Sequence, residues 1–351
     1  MAIVINGSGT VTGLSVGGLP DGTVDAGTLA TNSVDSAELV DGAVDDSHMA
    51  SISGRKNILI NGDYRISQRG DYTSATSVTN GAYLLDRAKN YLVGVTGTAQ
   101  QLTNQVVNGT YENTWKYVAT SSASGRIGSY QLVEDWYKGE TLTLSAWVKS
   151  NNANARIVVY DGATNTSSGT HTGGGAWEKL TVTATQSASA GQLYVYSAII
   201  SSSVGSVSIS SSDYIETAMF QLERGSTATD FERRHTGEEL ALCQRYYYKT
   251  TSSNSGGSYQ NFAVCSWIDN AVYRGVIEFP VTMRTRPTFS STGNFQSLGG
   301  PTFSAMNAGD GTTFDRHGIQ VNVASNQSAG QSILIRANND ATAALIYDAE
   351  L

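Results

Sequence analysis

The chain of 351 residues is long enough for two or three domains with their own hydrophobic cores. Only 15% of its residues are charged, and its net charge of −8 argues against nucleic acid, whose binding normally requires a basic surface. No apolar run approaches the ~18 to 20 residues of a membrane helix, so we expect no membrane insertion. The N-terminus has no basic segment leading into an apolar signal core, and we therefore expect cytoplasmic synthesis without signal-directed export.

The first segment, residues 1–54, contains a repeat with a period of ten residues. Val-Asp pairs begin at Val24, Val34 and Val44, and each is followed five positions later by an apolar residue, Leu29, Leu39 or Met49. A period of five matches neither a helical turn nor the alternation of a strand, so one chain alone has no apolar face to bury. We interpret the segment as an attachment and oligomerisation stalk formed by several copies of the chain. A flexible acidic linker is the alternative.

Residues 55–236 alternate between apolar and polar residues in the manner of β-strands. The clearest examples are Gly139–Lys149, Trp177–Ala184 and Gln192–Ile200, with turns rich in Gly, Ser and Asn between them. The fold class is therefore predicted to be all-β. About eight such strands would form a two-sheet jelly roll over this part of the chain.

Four aromatic side chains fall on the outer, polar positions of these strands: Trp147, Trp177, Tyr194 and Tyr196. Aromatic rings stack on the C–H faces of sugar rings, and neighbouring amides and hydroxyls satisfy the sugar's own hydroxyl groups. We therefore name these four as candidate sugar-binding residues. The alternative is that a neighbouring subunit or a second domain covers them.

Residues 237–250 carry the one convincing helix signal. Thr236 and Glu239 have the spacing of a capping box, in which the hydroxyl and the carboxylate satisfy the first backbone donors of the helix. Glu238 lies near the positive end of the helix dipole, and Arg245 and Lys249 near the negative end. We predict a short helix that connects two β domains. An ordinary connector packed on one sheet is equally compatible with the pattern.

Residues 251–351 again show strand patterns, which predict a second, smaller β-sandwich. The predicted strands are Asn261–Ile268, Tyr273–Phe279, Gly318–Ala324, Ser332–Ala337 and Thr342–Tyr347. Gly293–Asp315 is rich in Gly and Asn and is predicted to be a long exposed loop. Trp267 has apolar neighbours and is expected to be buried, whereas Tyr259 lies in a Ser/Gly loop and is expected to be exposed.

Motifs that carry chemistry are weak. The four histidines are scattered without metal-ligand spacing, and the glycines near the N-terminus lack the spacing of a phosphate loop. Two carboxylate pairs, Asp213 with Glu216 and Glu134 with Asp135, could be proposed for glycoside hydrolysis. Neighbours in one strand or turn seldom face a common bond, so we expect solvated carboxylates and predict that the protein is not an enzyme. The two cysteines, Cys243 and Cys265, are expected to be buried thiols.

Four stretches resemble phage tail-fibre and receptor-binding proteins with a jelly roll similar to carbohydrate-binding modules. They are AMFQLERGSTATDFERRHTGEELALCQRYYYK, KNILINGDYRISQRG, GETLTLSAWVKS, and VIEFPVTMRTRPTFS with the closing DAEL. The first resembles the junction between such a jelly roll and a C-terminal β domain, and the second resembles the first strand of the jelly roll. The resemblance covers roughly residues 55–351.

The resemblance implies a homotrimeric tail fibre in the virion that attaches to host surface polysaccharide without cleaving it. Its N-terminus would join other tail or baseplate proteins, and the distal C-terminal domain would offer Tyr259, Tyr273 and Arg274 as receptor contacts. Relatives often hold a structural calcium, for which Asp63 and Glu216 are the candidate ligands; no other cofactor is expected. The alternatives are a depolymerase fibre that cleaves the polysaccharide and a passive structural virion protein.

Overall fold

The computed structural model describes residues 4–5, 11–12, 56–251, 259–269, 272–298, 302–303, 307–308, 313, 315–322 and 331–350. The chain divides into two compact units, Met1–Gly54 and Arg55–Leu351. In the first unit, strands β1 (Val4–Ile5) and β2 (Val11–Thr12) pair antiparallel. The ten-residue repeat lies outside the described residues, so its role as a stalk stays a prediction.

Twelve strands of the second unit form two sheets, where about eight strands were expected. In chain order they are β3 (Thr76–Ser77), β4 (Lys89–Val93), β5 (Gly97–Val107), β6 (Thr110–Ala119), β7 (Ala123–Leu132), β8 (Thr141–Ser150), β9 (Ala155–Tyr160), β10 (Asn165–Ser167), β11 (Trp177–Thr185), β12 (Tyr194–Ile199), β13 (Val207–Ile209) and β14 (Tyr214–Arg224). Sheet A has the order β10-β9-β12-β7-β13, with β4 also paired to β7. Sheet B has the order β11-β8-β14-β6-β5-β3.

The two sheets pack face to face because alternate residues of their strands are apolar. Leu142, Leu144 and Val148 of β8 are fully buried and share one core with Ile157 of β9 and Val195 of β12. The intervening residues of these strands point away from the core on both sheets. The predicted all-β jelly-roll sandwich is confirmed.

The stretch KNILINGDYRISQRG, expected to be the first strand, is not a strand. It lies irregularly along the C-terminal half of β14, where β6 no longer pairs. The Ile58 backbone N–H donates to the Leu222 carbonyl at 2.7 Å, and the Asn57 side-chain amide donates to the Phe220 carbonyl at 3.1 Å. The Asn61 backbone N–H donates to the Glu239 carboxylate at 2.6 Å, which ties the segment to the helix.

Helix α1 (Thr236–Gln244) is shorter than predicted, because the chain turns into strand β15 (Tyr247–Thr251). The predicted capping box is wrong: His235 is the N-cap residue and no side chain caps the helix. The Glu239 carboxylate instead pairs with Arg234 at 3.2 Å and accepts the hydrogen bond from Asn61. Cys243, on the buried side of the helix, is a free thiol, as is buried Cys265.

The C-terminal strands form the second β-sandwich that the sequence predicts. They are β16 (Asn261–Asp269), β17 (Val272–Glu278), β18 (Thr288–Thr292), β19 (Phe295–Ser297), β20 (Thr302–Phe303), β21 (Asn307–Ala308), β22 (Arg316–Asn322), β23 (Ser332–Ala337) and β24 (Ala344–Asp348). A three-stranded sheet, β15-β24-β18, and a seven-stranded sheet, β20-β19-β23-β16-β17-β22-β21, share a core that includes Phe295, Ile335 and Tyr347. Within its described residues, the predicted long loop Gly293–Asp315 contains three short strands.

Ion pairs join the jelly roll to the end of the chain. Arg69 pairs with Glu350 at 3.0 Å and stacks over the Tyr247 ring at 3.7 Å. Arg87 also pairs with Glu350 and lies 3.7 Å over the Tyr246 ring. Both arginines are largely buried, and the side-chain carboxylate of Glu350 compensates their charge within the protein.

Candidate functional site: the tyrosine face

Five tyrosines lie on the outer face of sheet A, on four of its strands; we call this surface the tyrosine face. They are Tyr91 of β4, Tyr130 of β7, Tyr160 of β9, and Tyr194 and Tyr196 of β12. Strand register aligns them in rows across the sheet: Tyr194 is opposite Tyr160, and Tyr196 is opposite Tyr130. Residues directly opposite in a sheet have side chains in contact, so the pairing places the rings side by side.

The five rings form one continuous cluster. Tyr194 and Tyr196 are stacked with their planes 17° apart, and Tyr130 lies 5.3 Å from Tyr196 between ring centroids. Tyr160 extends the cluster 5.8 Å beyond Tyr194, and Tyr91 packs edge-on against Tyr130 at 5.7 Å. Tyr196 is only 8% exposed, whereas the other four are half-buried and present part of each ring to solvent.

The phenols of Tyr196, Tyr130 and Tyr194 are neutral hydroxyl groups at physiological pH. Burial raises the pKa of Tyr196, Tyr130 and Tyr194, and the neighbouring phenols raise it further. A neutral phenol both donates and accepts a hydrogen bond. The face therefore combines flat apolar rings with hydroxyl groups suited to bonding other hydroxyl groups.

Two cations border the tyrosines. The Lys89 ammonium lies 5.9 Å from the Tyr130 centroid, and register places the two residues directly opposite each other. The Arg126 guanidinium donates to the Tyr91 hydroxyl and lies 5.6 Å from that ring. These contacts hold Tyr91 and Tyr130 in place and make one edge of the face positive.

The structure separates the four aromatic residues that the sequence singled out. Tyr194 and Tyr196 are together on the tyrosine face, while Trp147 of β8 and Trp177 of β11 lie on the outer face of sheet B, which we call the tryptophan face. The core between the sheets puts the two faces on opposite sides of the sandwich. The four residues therefore cannot contact one sugar together.

The tryptophan face is partly covered by residues 225–233 of the chain itself. The Gln221 side chain holds this segment by accepting from the Glu232 N–H at 2.8 Å and donating to the Asp230 carbonyl at 3.3 Å. A pocket of about 350 Å³ remains between the segment and Trp147. Trp177 lies outside that pocket, with the Lys149 ammonium 5.9 Å from its ring.

The C-terminal receptor candidates differ in exposure. Tyr259 is 45% exposed, with Arg336 4.7 Å over its ring, and Arg274 is also exposed. Tyr273 is 0% exposed, so the prediction that it contacts a receptor is corrected: alternation along β17 points its ring into the core. Trp267, directly opposite Tyr273 in the sheet, packs against the same core and is half-buried.

The residues predicted to bind calcium are engaged with other groups. The buried Asp63 carboxylate pairs with Arg65, and the buried Glu216 carboxylate accepts from the Thr114 hydroxyl at 2.7 Å. Within the described residues, no group of three or more His, Cys, Asp or Glu side chains could hold a metal ion. Both carboxylates have partners within the protein, and the calcium site stays a prediction.

Asp213 and Glu134, two of the carboxylates considered for hydrolysis, are hydrogen-bonded within the protein. Asp213 accepts from the Asn152 side chain at 2.7 Å and from the Ser210 N–H at 2.8 Å. Glu134 is bonded by the Tyr246 hydroxyl and the Arg245 guanidinium, each at 2.7 Å. Partial burial raises the pKa of Glu134, but these bonds outweigh burial and leave the pKa below its ordinary value, the opposite of what a general acid needs.

Three of the five tyrosines were missed by the sequence analysis: Tyr91, Tyr130 and Tyr160. Each occupies an outer position of its strand, so the alternation of apolar and polar residues could have identified each one as an outward-facing tyrosine. Their assembly depends on which strands pair, and that information was absent from the local pattern.

No protein-family model matches the chain, and no curated protein sequence matches it. Solved structures do resemble it. The enzymatically active domain of bacteriophage CBA120 tailspike protein 4 has 12% identity and a TM-score of 0.34 over 48% of this chain and 21% of that one. A putative sugar binding protein from Bacteroides thetaiotaomicron has 12% identity and a TM-score of 0.29 over 48% of this chain and 100% of that one.

The N-terminal CBM22-1–CBM22-2 tandem domain from Paenibacillus barcinonensis Xyn10C has 13% identity and a TM-score of 0.27 over 81% of this chain and 97% of that one. The chain thus spans about a fifth of the tailspike domain's length but nearly all of the tandem domain's. TM-scores this low carry no argument about this chain, so its fold rests on its own strand pairing. The described part of the chain contains no helix with the length and apolarity to span a membrane.

Proposed function

We propose that the protein is a non-enzymatic, glycan-binding adhesin of the phage tail-fibre type, whose tyrosine face holds host surface polysaccharide. The observation that carries this proposal is the continuous cluster of five tyrosine rings on the open face of a sheet. Rings with exposed faces and neutral hydroxyl groups supply both stacking and hydrogen bonding, which sugars require. A rigid sheet keeps this surface formed before the ligand arrives, which lowers the entropy cost of binding.

The proposal includes self-association into a homotrimer. The outer face of the C-terminal seven-stranded sheet exposes an apolar strip, Val264 at 63%, Val276 at 57% and Leu298 at 54%. Val264 is opposite Leu334 in the register, so the strip crosses neighbouring strands. Such contiguous apolar surface favours association. Together with the ten-residue repeat, it supports a fibre made of three copies, in which several weak sites act as one avid surface.

In this proposal the protein is part of the virion tail. Residues 1–54 join it to other tail or baseplate proteins, and exposed Tyr259 and Arg274 of the C-terminal sandwich add contacts to the receptor. The buried or hydrogen-bonded states of Glu134, Asp213 and Glu216 support binding without cleavage.

The test is binding of the full chain to a panel of immobilised bacterial surface oligosaccharides. Tyr194→Ala removes one exposed ring, and we expect about a tenfold loss of affinity, the equivalent of one lost stacking contact. Trp177→Ala, on the opposite face, is the control and is expected to change affinity less than about twofold. Equal losses in both variants, or an unchanged Tyr194→Ala, would contradict the assignment of the site.

The two alternatives give other results. New reducing ends after incubation with a polysaccharide would establish a depolymerase. Binding to no member of the panel at high valency would favour a passive structural protein. The solution mass of the full chain, of a variant without residues 1–54 and of Val264→Asp/Val276→Asp tests the trimer; a monomeric full chain would refute it.

A further inference from the structure

We infer that the tyrosine face selects anionic saccharides, those that carry carboxylate or phosphate groups. This inference rests on the proposed glycan-binding function and adds the chemical class of the ligand. Its basis is the distribution of charge between the two sheets of the jelly roll.

Sheet A contains no acidic residue. Its six strands have the sequences KNYLV, ASGRIGSYQL, ARIVVY, NTS, YVYSAI and VSI, with three cations, Lys89, Arg126 and Arg156. The whole chain has 30 acidic and 22 basic residues, so the sheet is positive within an acidic protein. A locally positive surface on a negative molecule attracts anionic ligands to that surface.

All three cations are on the same face as the tyrosines. Register aligns Arg156 with Ala198, Gly128 and Tyr91 in one row, and Val158 with Tyr196, Tyr130 and Lys89 in the next. Arg156 and Lys89 therefore lie near opposite edges, separated by three strand spacings or about 14 Å. Tyr196 and Tyr130 lie on the two strands between these charges.

Arg156 carries a charge with no acidic partner among the described residues. Its side chain is half-buried, and its Nε atom is buried without a hydrogen-bond partner. Burial lowers the pKa of this guanidinium, and no carboxylate acts against that effect. Among the residues that the structure describes, Arg156 forms no ion pair. Because a guanidinium presents a planar fork of donors, a carboxylate or phosphate of a bound saccharide would satisfy it at two points.

The experiment compares the full chain on matched immobilised oligosaccharides: neutral chains, uronate- or sialate-bearing chains, and phosphorylated chains. We expect the anionic members to bind at least about tenfold more tightly than their neutral counterparts, since a charge-assisted pair exceeds a neutral hydrogen bond in strength. The advantage should shrink as salt rises. The ranking of carboxylated against phosphorylated chains identifies the source of the negative charge.

Arg156→Gln and Lys89→Gln are each expected to lower affinity for the preferred anionic chain about tenfold. The comparison with neutral chains uses Arg156→Gln, which should change neutral binding less than about twofold. Lys149→Gln, beside Trp177 on sheet B, is the matched control because it removes the same charge and should have no effect. Neutral chains that bind as well as anionic ones, or variants without effect, would overturn the inference and leave glycan binding intact. Binding to no chain would instead refute the proposed function.

Discussion

The two outer faces of the jelly roll are each built on six strands, but they differ in charge and in what covers them. The strands of sheet B carry four acidic and four basic residues, whereas those of sheet A carry no acidic residue and three basic residues. Sheet B is covered in part by residues 225–233, while the tyrosine face keeps partly exposed rings. The difference shows that buried polar contacts hold the covering segment on sheet B, and it leaves the rings of sheet A accessible for the ligand that we propose.

The largest expected effect tests the structural role of sheet B. Gln221 is 0% exposed, and its side-chain amide forms hydrogen bonds with Glu232, Asp230 and Glu223. Gln221→Ala leaves buried polar groups unsatisfied and should lower the free energy of unfolding by about 3 kcal/mol in urea titrations. Thr181→Ala, exposed on the same sheet, is the control. Glycan affinity under native conditions should not change; lost affinity with unchanged stability would reverse the roles of the two faces.

A second prediction separates the tyrosine face from the region where Arg69 and Glu350 join the jelly roll to the end of the chain. Asp86, in this region, accepts from the Gln68 N–H at 2.6 Å, and burial raises its pKa to about 6 despite the Gln68 bonds and nearby Arg69. The folded protein then holds a proton that the unfolded chain releases, so stability is highest below the unfolded pKa near 3.8 and is lost as pH rises to about 6.

Asp86→Asn should remove this dependence. Between pH 4 and 7, the free energy of unfolding of the native protein should fall about 2 to 3 kcal/mol more than that of the variant. Urea titrations at several pH values measure this difference, and parallel curves would show that Asp86 does not titrate as expected. Affinity for a neutral glycan should stay constant over the same range because the phenols stay neutral.

Sequence alternation predicted much of the fold. The strand at Gly139–Lys149 corresponds to β8, and those at Trp177–Ala184 and Ser332–Ala337 to β11 and β23, because one apolar face of each is buried in a core. The helix was extended too far because Tyr247 and Tyr248 continue its apolar spacing. Their pairing with β24 outweighs local helix propensity.

The candidate site was predicted less completely. Alternation tells whether a side chain faces inward or outward, but not which sheet carries the strand, so Trp147 was grouped with Tyr194 on the wrong assumption of a shared face. The neighbours of Tyr194, namely Tyr160 and Tyr130, are distant in sequence and meet only through strand register. Register between remote strands depends on tertiary packing, which a single sequence does not reveal by pattern.

A third prediction sharpens the comparison at the edge of the tyrosine face. Tyr160 is half-buried and contacts only Tyr194 within the ring cluster. Tyr160→Ala should weaken binding of the preferred glycan about fivefold, since an edge ring contributes less than a central one. Trp147→Ala, in the pocket of the opposite face, should change affinity less than about twofold in the same assay. The converse ranking would move the binding site to the tryptophan face.

The smallest effect is expected for Tyr196→Phe, which tests whether Tyr196 contacts the glycan or only supports the other rings of the tyrosine face. Tyr196 is 8% exposed and its ring lies among Tyr91, Tyr130 and Tyr194, so it should orient the exposed rings more than it contacts sugar. Tyr196→Phe keeps that packing. It should change glycan affinity less than about twofold and the free energy of unfolding by less than about 1 kcal/mol. Tyr196→Ala removes the ring and should destabilise the protein by about 3 kcal/mol. A Tyr196→Phe variant that loses binding while remaining stable would instead place the Tyr196 hydroxyl in direct contact with the glycan.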